Sequence, residues 1–156
     1  SSDVCSSDLE VWSVPCWLFF HGFAARINKE FYENNYLKIW ISVYQNICLN
    51  LPCPMCRRHA VNYISKSKKS DIETKEKLIL YLFNFHNYVN KRLNKRIYKQ
   101  EDLAIYKRLK MKKCYYMLYT SFNLPYSSTA LFNGWRRGKG IKVTTDFLKV
   151  IWNNLE

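Results

Sequence analysis

A stripe of apolar residues at helical spacing constrains the fold of this chain more than any other feature. Between residues 75 and 94, apolar side chains recur every three or four positions, at Leu78, Leu82, Phe85, Val89 and Leu93. This period is typical of an α-helix with one buried face. Alternating β-branched runs bounded by turn residues, which would indicate strands, are missing from the sequence. The sequence therefore predicts an all-α domain.

The same periodicity predicts five helices, at about residues 12–28, 36–49, 53–65, 75–94 and 100–119, and a short last helix at 145–153. Pro52 marks the start of the third helix. The N–H groups of the first helical turn have no partner within the helix, so the missing N–H of a proline costs little there. Residues 66–70 are predicted as a polar basic loop. Residues 124–140 are also predicted as a loop, because they gather Pro125, Ser127, Ser128, Gly134, Gly138 and Gly140.

The size and composition of the chain are those of one folded domain. Its 156 residues are 48% hydrophobic and 17% aromatic, with four glycines and four prolines, which excludes collagen-like and disordered proteins. The longest apolar stretch, residues 11–25, contains Ser13, Pro15, His21 and Gly22 and is shorter than the roughly 20 residues that cross a bilayer. No transmembrane span is expected. Residues 1–10 differ in composition from the rest and are set aside as a leader.

The chain is strongly basic, with 25 Lys and Arg residues against 12 Asp and Glu residues and a net charge of +13. Such a surface attracts phosphates, nucleic acid or anionic lipid, and charge alone does not choose among them. A nucleic-acid-binding helical module is one interpretation, since basic clusters interleaved with tyrosines occupy residues 66–69, 91–99 and 107–113.

One pair of cysteines indicates chemistry. Cys53 and Cys56 lie three residues apart at a predicted helix start, where unpaired N–H groups and the helix dipole stabilise a thiolate. This arrangement favours a redox-active disulfide. A zinc site with His59 as a third ligand is an alternative, and an inert structural pair is another. The remaining cysteines, at positions 5, 16, 48 and 114, fit no disulfide framework.

A redox dithiol needs an electron acceptor, so a cofactor site is expected. Trp17 and His21 share one face of the first predicted helix at positions i and i+4, as do His86 and Asn90 on the fourth. Rings and amides placed in this way can hold a flat ring system. Core packing and helix-to-helix hydrogen bonds would also account for these pairs.

Three motifs occur in order along the chain. The first places Trp12, Trp17 and His21 on one helix. The second is Leu51-Pro52-Cys53-x-x-Cys56-Arg57-x-His59-Ala60, and the third is Phe83-x-Phe85-His86-Asn87-x-Val89-Asn90-x-Arg92-Leu93-x-Lys95. This ordered set, over about residues 12–110, resembles the Erv/ALR family of FAD-linked sulfhydryl oxidases, in particular the forms of large DNA viruses.

The resemblance implies a four-helix bundle of the Erv/ALR type, with FAD at its mouth, a short fifth helix and a homodimer. It divides the chain into the leader 1–10, an FAD-binding oxidase domain 11–110 and a C-terminal extension 111–156. No metal ligands are assigned. The residues that it implies for FAD binding are Trp17, His21, His59, Phe83, His86, Asn87, Val89, Asn90 and Lys95, and Tyr106 is the candidate for a further aromatic contact.

The activity implied by the resemblance is the oxidation of protein dithiols. A substrate thiolate attacks the disulfide at Cys53, Cys56 passes the electron pair to FAD, and oxygen is reduced to hydrogen peroxide. The implied partners are oxygen and a thioredoxin-like or virion protein, without a requirement for nucleic acid. The location expected is the host cytoplasm or the virion, or otherwise an oxidising compartment such as the mitochondrial intermembrane space. Cys114 is the candidate shuttle cysteine, whereas Cys16 and Cys48 are expected to be buried.

The C-terminal extension lies outside the resemblance and is interpreted as a cap on the bundle. A dimer contact or a partner surface is the alternative, because the extension is rich in aromatic and basic residues. These residues are Tyr115, Tyr116, Tyr119, Phe122, Tyr126, Phe132 and Trp135, with Arg136, Arg137, Lys139 and Lys142.

Overall fold

The structure is a computed structural model that describes the backbone of residues 2–126, 130–150 and 152–156 and the side chains of residues 9–126, 131–150 and 152–156. The side chains of Cys5, Ser127, Ser128 and Ile151, which entered the sequence analysis, lie outside this description. Within it, no helix is long and apolar enough to cross a membrane.

The described part of the chain is built from α-helices joined by turns and short 3₁₀ helices. The α-helices are α1 (Ser2–Arg26), α2 (Lys29–Asn46), α3 (Pro54–Ser65), α4 (Lys75–Arg92), α5 (Met111–Phe122) and α6 (Ala130–Lys149). The 3₁₀ helices span Cys48–Asn50, Lys69–Asp71, Gln100–Arg108 and Trp152–Asn154. The predicted all-α class is confirmed, since the β pairing found among the described residues is a single bridge between Ile27 and Leu155.

Side-chain caps fix where α2 and α4 begin. Asn28 Oδ1 accepts a hydrogen bond from the backbone N–H of Phe31 at 2.9 Å, and Thr74 Oγ1 accepts one from Lys77 at 3.2 Å. Each cap satisfies an N–H that the first helical turn leaves unpaired. α4 ends at Arg92, and Asn94 then takes a left-handed backbone conformation with φ of 54°, as asparagine tolerates after a helix.

The core is centred on α1, which packs against α4, α5 and the Gln100–Arg108 segment. α6 packs in turn against α5 and α2. The most deeply buried side chains come from α1, α2, α5 and α6, and include Phe19, Tyr32, Ile39, Leu118, Phe122, Ile141 and Leu148. The two C-terminal helices therefore complete the core, which agrees with their interpretation as a cap.

The predicted apolar stripe of α4 is confirmed over most of its length. Leu78, Leu82 and Phe85 are buried, and Val89 is half-buried against the core. The prediction is wrong for Leu93, which is 41% exposed. Because α4 ends at Arg92, Leu93 no longer follows the helical face that the rest of the stripe occupies.

The predicted helix at residues 100–119 is interrupted in the structure. The 3₁₀ helix ends at Arg108 and α5 begins at Met111. Between them, Leu109 is extended, with φ of −68° and ψ of 138°, and its carbonyl oxygen accepts a hydrogen bond from the guanidinium of Arg26. A side chain of α1 satisfies this carbonyl in place of a helical N–H, and this accounts for the break.

The predicted loop at 124–140 is wrong from residue 130 onward, where α6 begins, and residues 127–129 lie outside the description. The glycines serve close packing instead of turns. A Cβ atom at Gly134 would lie 2.7 Å from the Asn123 carbonyl oxygen, and one at Gly140 would lie 2.5 Å from that of Asn46. The short helix predicted at 145–153 is likewise the end of α6 followed by a 3₁₀ turn.

The N-terminal leader is continuous with the first helix, since α1 begins at Ser2 and not at the predicted residue 12. Leu9 lies in the hydrophobic core. The division of the chain at residues 10 and 110 remains a prediction.

Candidate active site

The two neighbouring cysteines lie where α3 begins. Cys53 is the N-cap, its Sγ accepts a hydrogen bond from the backbone N–H of Cys56 at 3.2 Å, and Pro54 opens the helix. The N–H groups and the dipole of this helix end stabilise negative charge on sulfur. Cys53 is 3% exposed whereas Cys56 is half-buried. The order of attack, with Cys53 meeting the substrate, therefore remains a prediction.

His59 lies one turn beyond Cys56, and its Nε2 is 2.7 Å from a guanidinium nitrogen of Arg92 at the end of α4. Burial lowers the pKa of His59, and the charges of Arg92 and Arg58 lower it further, against an opposing effect of Cys53. A neutral His59 therefore accepts the hydrogen bond that Arg92 donates. This contact joins α3 to α4.

A cluster of stacked rings lies between α1 and α4. The ring of Trp17 stacks on that of His86 with centroids 4.0 Å apart and planes within 6°, and His21 stacks on Tyr106 at 4.6 Å. Tyr98 lies 4.9 Å from His86. We call these five residues, Trp17, His21, His86, Tyr98 and Tyr106, the ring cluster. The rings of Trp17 and His86 are nearly parallel and cover each other, whereas Tyr98 is tilted by 57° from His86.

A hydrogen bond between two buried imidazoles forms the centre of the ring cluster. His21 Nε2 lies 2.8 Å from His86 Nδ1. Burial lowers the pKa of His21 to about 4 and that of His86 to about 3, and for His86 the charges of His21 and Lys95 act in the same direction. Both rings are therefore neutral near pH 7, and one donates the proton that the other accepts.

Two contacts between aromatic rings connect the ring cluster to α3. Tyr63 of α3 stacks on Phe85 of α4 with centroids 4.6 Å apart and planes within 16°. Phe85 meets Trp17 edge to face at 5.4 Å. The cysteines and these rings thus belong to one continuous packed region, although they come from different helices.

The two predicted amides of α4 hold the loop that follows it. Asn87 donates to the carbonyl of Tyr98 at 3.0 Å and accepts from its N–H at 2.9 Å. Asn90 donates to the carbonyl of Arg96 at 3.1 Å. The loop carries the exposed Lys95, so that these amides position a cation beside the ring cluster.

The structure gathers some of the predicted site residues and separates others. Trp17, His21 and His86 lie together, and Tyr106, the candidate further aromatic, joins them. Phe83 and Val89 are half-buried on α4, and their place in the site remains a prediction. Sequence reasoning missed Tyr98, whose contact depends on how the loop after α4 folds back, and the pairing of Arg92 with His59, which depends on how α3 and α4 lie relative to each other.

The other described cysteines are buried, and this differs from what a shuttle requires. Burial raises the pKa of Cys16 and Cys114 and raises that of Cys48 to about 12. For Cys16 and Cys48 this agrees with the prediction that they are small core residues. Cys114, the candidate shuttle, is 4% exposed and needs a change of packing before it meets another protein.

The zinc alternative finds no geometric support in the part of the chain that the structure describes. Nowhere there do three His, Cys, Asp or Glu side chains come together as metal ligands. A cavity of about 420 Å³ lies elsewhere, and its lining, which includes none of the predicted site residues, is Arg26, Lys110, Met111, Lys112, Lys113, Trp152 and Leu155.

The fold and the site define a helical protein that places a dithiol at a helix start beside a buried ring cluster. The model of the Erv1/Alr family matches residues 15–112, which contain both features. The chain belongs to the Erv1/Alr family.

Viral relatives are similar to this region. The chain is 34% identical over 91 residues to protein 096R of Invertebrate iridescent virus 3, a match that covers 58% of this chain and 61% of the relative. It is 36% identical over 91 residues to the FAD-linked sulfhydryl oxidase of African swine fever virus (isolate Pig/Kenya/KEN-50/1950), covering 55% and 71%. Protein 088R of Frog virus 3 is 30% identical over 93 residues, covering 58% and 62%. No solved structure matches the chain at a significant level.

Proposed function

We propose that this protein is an FAD-linked sulfhydryl oxidase that forms disulfides in protein dithiols. The observation that carries the proposal is the position of Cys53 and Cys56 at the start of α3, connected to a buried ring cluster by the stacked rings of Tyr63 and Phe85. Membership of the Erv1/Alr family and the similarity to the FAD-linked sulfhydryl oxidase of African swine fever virus support the same activity.

The side chains around the ring cluster fit FAD by their chemistry. Trp17, His21 and His86 supply aromatic rings and neutral ring nitrogens of the kind that bind the rings of the cofactor, and the resemblance assigns Phe83, Val89 and His59 to the same site. Its pyrophosphate is a dianion, and Lys91, Arg92, Lys95 and Arg96 are exposed at the end of α4, where they would neutralise it. When bound, FAD would take two electrons from the dithiol and deliver them to oxygen, giving hydrogen peroxide.

The chain's own residues carry out the exchange of disulfides. A thiolate of the substrate attacks the Cys53–Cys56 disulfide, so that one sulfur–sulfur bond breaks and a mixed disulfide forms. The second substrate thiol then closes the substrate disulfide and leaves Cys53 and Cys56 as a dithiol that has taken up the two protons of the substrate thiols. The helix end lowers the free-energy cost of the thiolate that leaves at each step. Asn87 and Asn90 hold the loop after α4, which carries Lys95, in place.

The partners and the location belong to the same proposal. The substrate would be a thioredoxin-like or virion protein, and the active species a homodimer. Because the relatives described above are viral, the host cytoplasm or the virion is the location that we propose. The basic clusters interleaved with tyrosines keep a nucleic-acid-binding module as the second candidate.

The purified protein tests this function directly. We expect a yellow protein with one FAD per chain, seen in its visible absorption spectrum, that consumes oxygen when dithiothreitol is added. His86→Ala should release FAD more readily and lower the melting temperature, because cofactor binding stabilises the fold. Tyr116→Ala, at an exposed position of α5, is the matched control. A colourless protein that does not take up added FAD would contradict the proposal, and nucleic acid bound by that protein would favour the second candidate.

A further inference from the structure

Acidic side chains are absent from two long stretches of the sequence, residues 34–70 and 103–145, although both are rich in Lys and Arg. The first stretch contains the redox pair and the second contains α5 and most of α6. The basic character of the chain is therefore concentrated on elements that the fold brings together. Such a surface favours partners with acidic segments.

α6 lies against the segment that leads into the redox pair. It packs on the Cys48–Asn50 turn, and the absence of a side chain at Gly140 lets α6 approach the backbone of Asn46. In the first half of α6, burial lowers the pKa of Arg137, Tyr126 opposes this shift, and the charge of Arg57, directly after Cys56, adds to it. α6 therefore packs on the turn that directly precedes the start of α3.

The outward side of this half of α6 is apolar and basic. Leu131 is 86% exposed, Phe132 65% and Trp135 58%. The rings of Phe132 and Trp135 lie 6.2 Å apart, and Lys139 Nζ lies 5.1 Å from the Trp135 ring. We call Leu131, Phe132, Trp135, Arg136 and Lys139 the α6 face. Exposed aromatic side chains beside cations are the usual anchors of protein interfaces.

We infer that the α6 face is a docking surface for the dithiol protein that Cys53 and Cys56 oxidise, and that the docked segment combines acidic residues with an apolar anchor. The inference rests on the proposed function and adds the recognition of the substrate to it. An apolar anchor would cover Phe132 and Trp135, and carboxylates would pair with Arg136 and Lys139. Docking there would deliver a nearby dithiol to the start of α3.

The same side chains also suit a membrane surface with anionic lipid, because aromatic and basic residues together bind that interface. The position of α6 favours a protein instead. A face that borders the redox segment is useful to a substrate that must reach Cys53 or Cys56, whereas a bilayer on this face would restrict access to them. Vesicle binding therefore enters the experiment as a competing outcome.

A binding experiment tests the inference without turnover. The probe is a fluorescent peptide with glutamates around a Leu-Trp anchor and a Ser-x-x-Ser segment in place of a dithiol, compared with the same peptide carrying lysines for glutamates. We expect Trp135→Ala and Lys139→Glu each to weaken binding of the acidic peptide about tenfold, measured by fluorescence anisotropy. The controls are Tyr116→Ala and Lys112→Glu, which change exposed residues of α5 and should leave binding unchanged.

Kinetics with the Cys-x-x-Cys form of the peptide complete the test. Trp135→Ala should raise its KM about tenfold and leave kcat and dithiothreitol oxidation unchanged. Equal binding of the acidic and basic peptides, or equal losses in the control variants, would overturn the inference. So would variants that lose only binding to vesicles of equal parts phosphatidylcholine and phosphatidylserine. Since the serine peptide needs neither FAD nor a dithiol, a failed oxidase activity would leave the binding result intact.

Discussion

The dithiol and the ring cluster present opposite environments within one site. The cysteines lie at a helix end, with Cys56 half-buried and Arg57 and Arg58 directly after it, so that a thiolate is stabilised and a partner can reach it. In the ring cluster His21, His86 and Tyr106 are buried, Trp17 and Tyr98 are half-buried, and the two histidines are neutral. Disulfide exchange needs access and charge, whereas holding a flat cofactor needs fixed neutral rings. In the function that we propose, the helical bundle divides these two tasks between the start of α3 and the interface of α1 with α4.

The largest effect on the proposed activity is expected from replacing one of the two cysteines at the start of α3. We expect Cys56→Ser and Cys53→Ser each to reduce oxygen consumption with dithiothreitol to the background rate while FAD stays bound, because a serine oxygen cannot form a disulfide. Oxygen electrode traces and visible spectra of the same samples measure the two tasks separately. Cys114→Ala is the control and should retain turnover. Activity in either serine variant would disprove the assignment of the pair.

Acid should destabilise the ring cluster. The folded-state pKa values of His21 and His86, about 4 and about 3, lie below the ordinary value of 6.5, so the unfolded state binds more protons between these limits. Their contribution to stability is therefore present above pH 6.5 and is lost as the pH falls toward 4. We expect the free energy of unfolding to decrease by about 2 to 4 kcal/mol over this range, measured by urea unfolding.

The matched variant for this pH dependence is His86→Gln, which removes one of the two titrating groups. It should flatten the dependence of the unfolding free energy on pH between about 4 and 6.5. Carboxylates elsewhere in the chain titrate equally in both proteins, so the comparison isolates the imidazole. An unchanged slope would show that protonation of His86 does not oppose folding.

The smallest effect is expected from removing the hydrogen bond between Arg92 of α4 and His59 of α3. Arg92→Ala should raise the pKa of His59 toward its ordinary value, because it removes a nearby positive charge and a donor that binds the neutral ring. The chain has three histidines, so an NMR titration resolves each one. Lys91→Ala preserves the contact and serves as the control. A His59 titration that is identical in both variants would separate His59 from Arg92.

The sequence predicted the parts of the fold that local pattern determines. Helical periodicity located α4, and Pro52 located the start of α3, because both signals act within a few residues. The break at Leu109 and the helix α6 were not predictable in this way. A guanidinium of α1 fixes the first, and glycines that usually indicate turns instead permit the close packing of the second.

The same distinction applies to the site. Helical spacing and motif identified Trp17 and His21 on one face of α1 and His86 on one face of α4. The contacts of Tyr98 and Tyr106 with these rings could not be identified in this way, because they arise when the segment after α4 returns to α1. The left-handed conformation of Asn94 begins that return, and a single asparagine in a sequence does not reveal it.

The end of α1 has a consequence for how the chain matures. Arg26 donates to the carbonyl of Leu109, its own carbonyl accepts from the N–H of Glu156 at 2.7 Å, and Ile27 pairs with Leu155. These contacts join the end of α1 to residues 83 to 130 positions later in the sequence. During synthesis, the first helix must wait for the last described residues to leave the ribosome before its neighbours are complete. A nascent chain stopped short of residue 155 should therefore stay open to proteases.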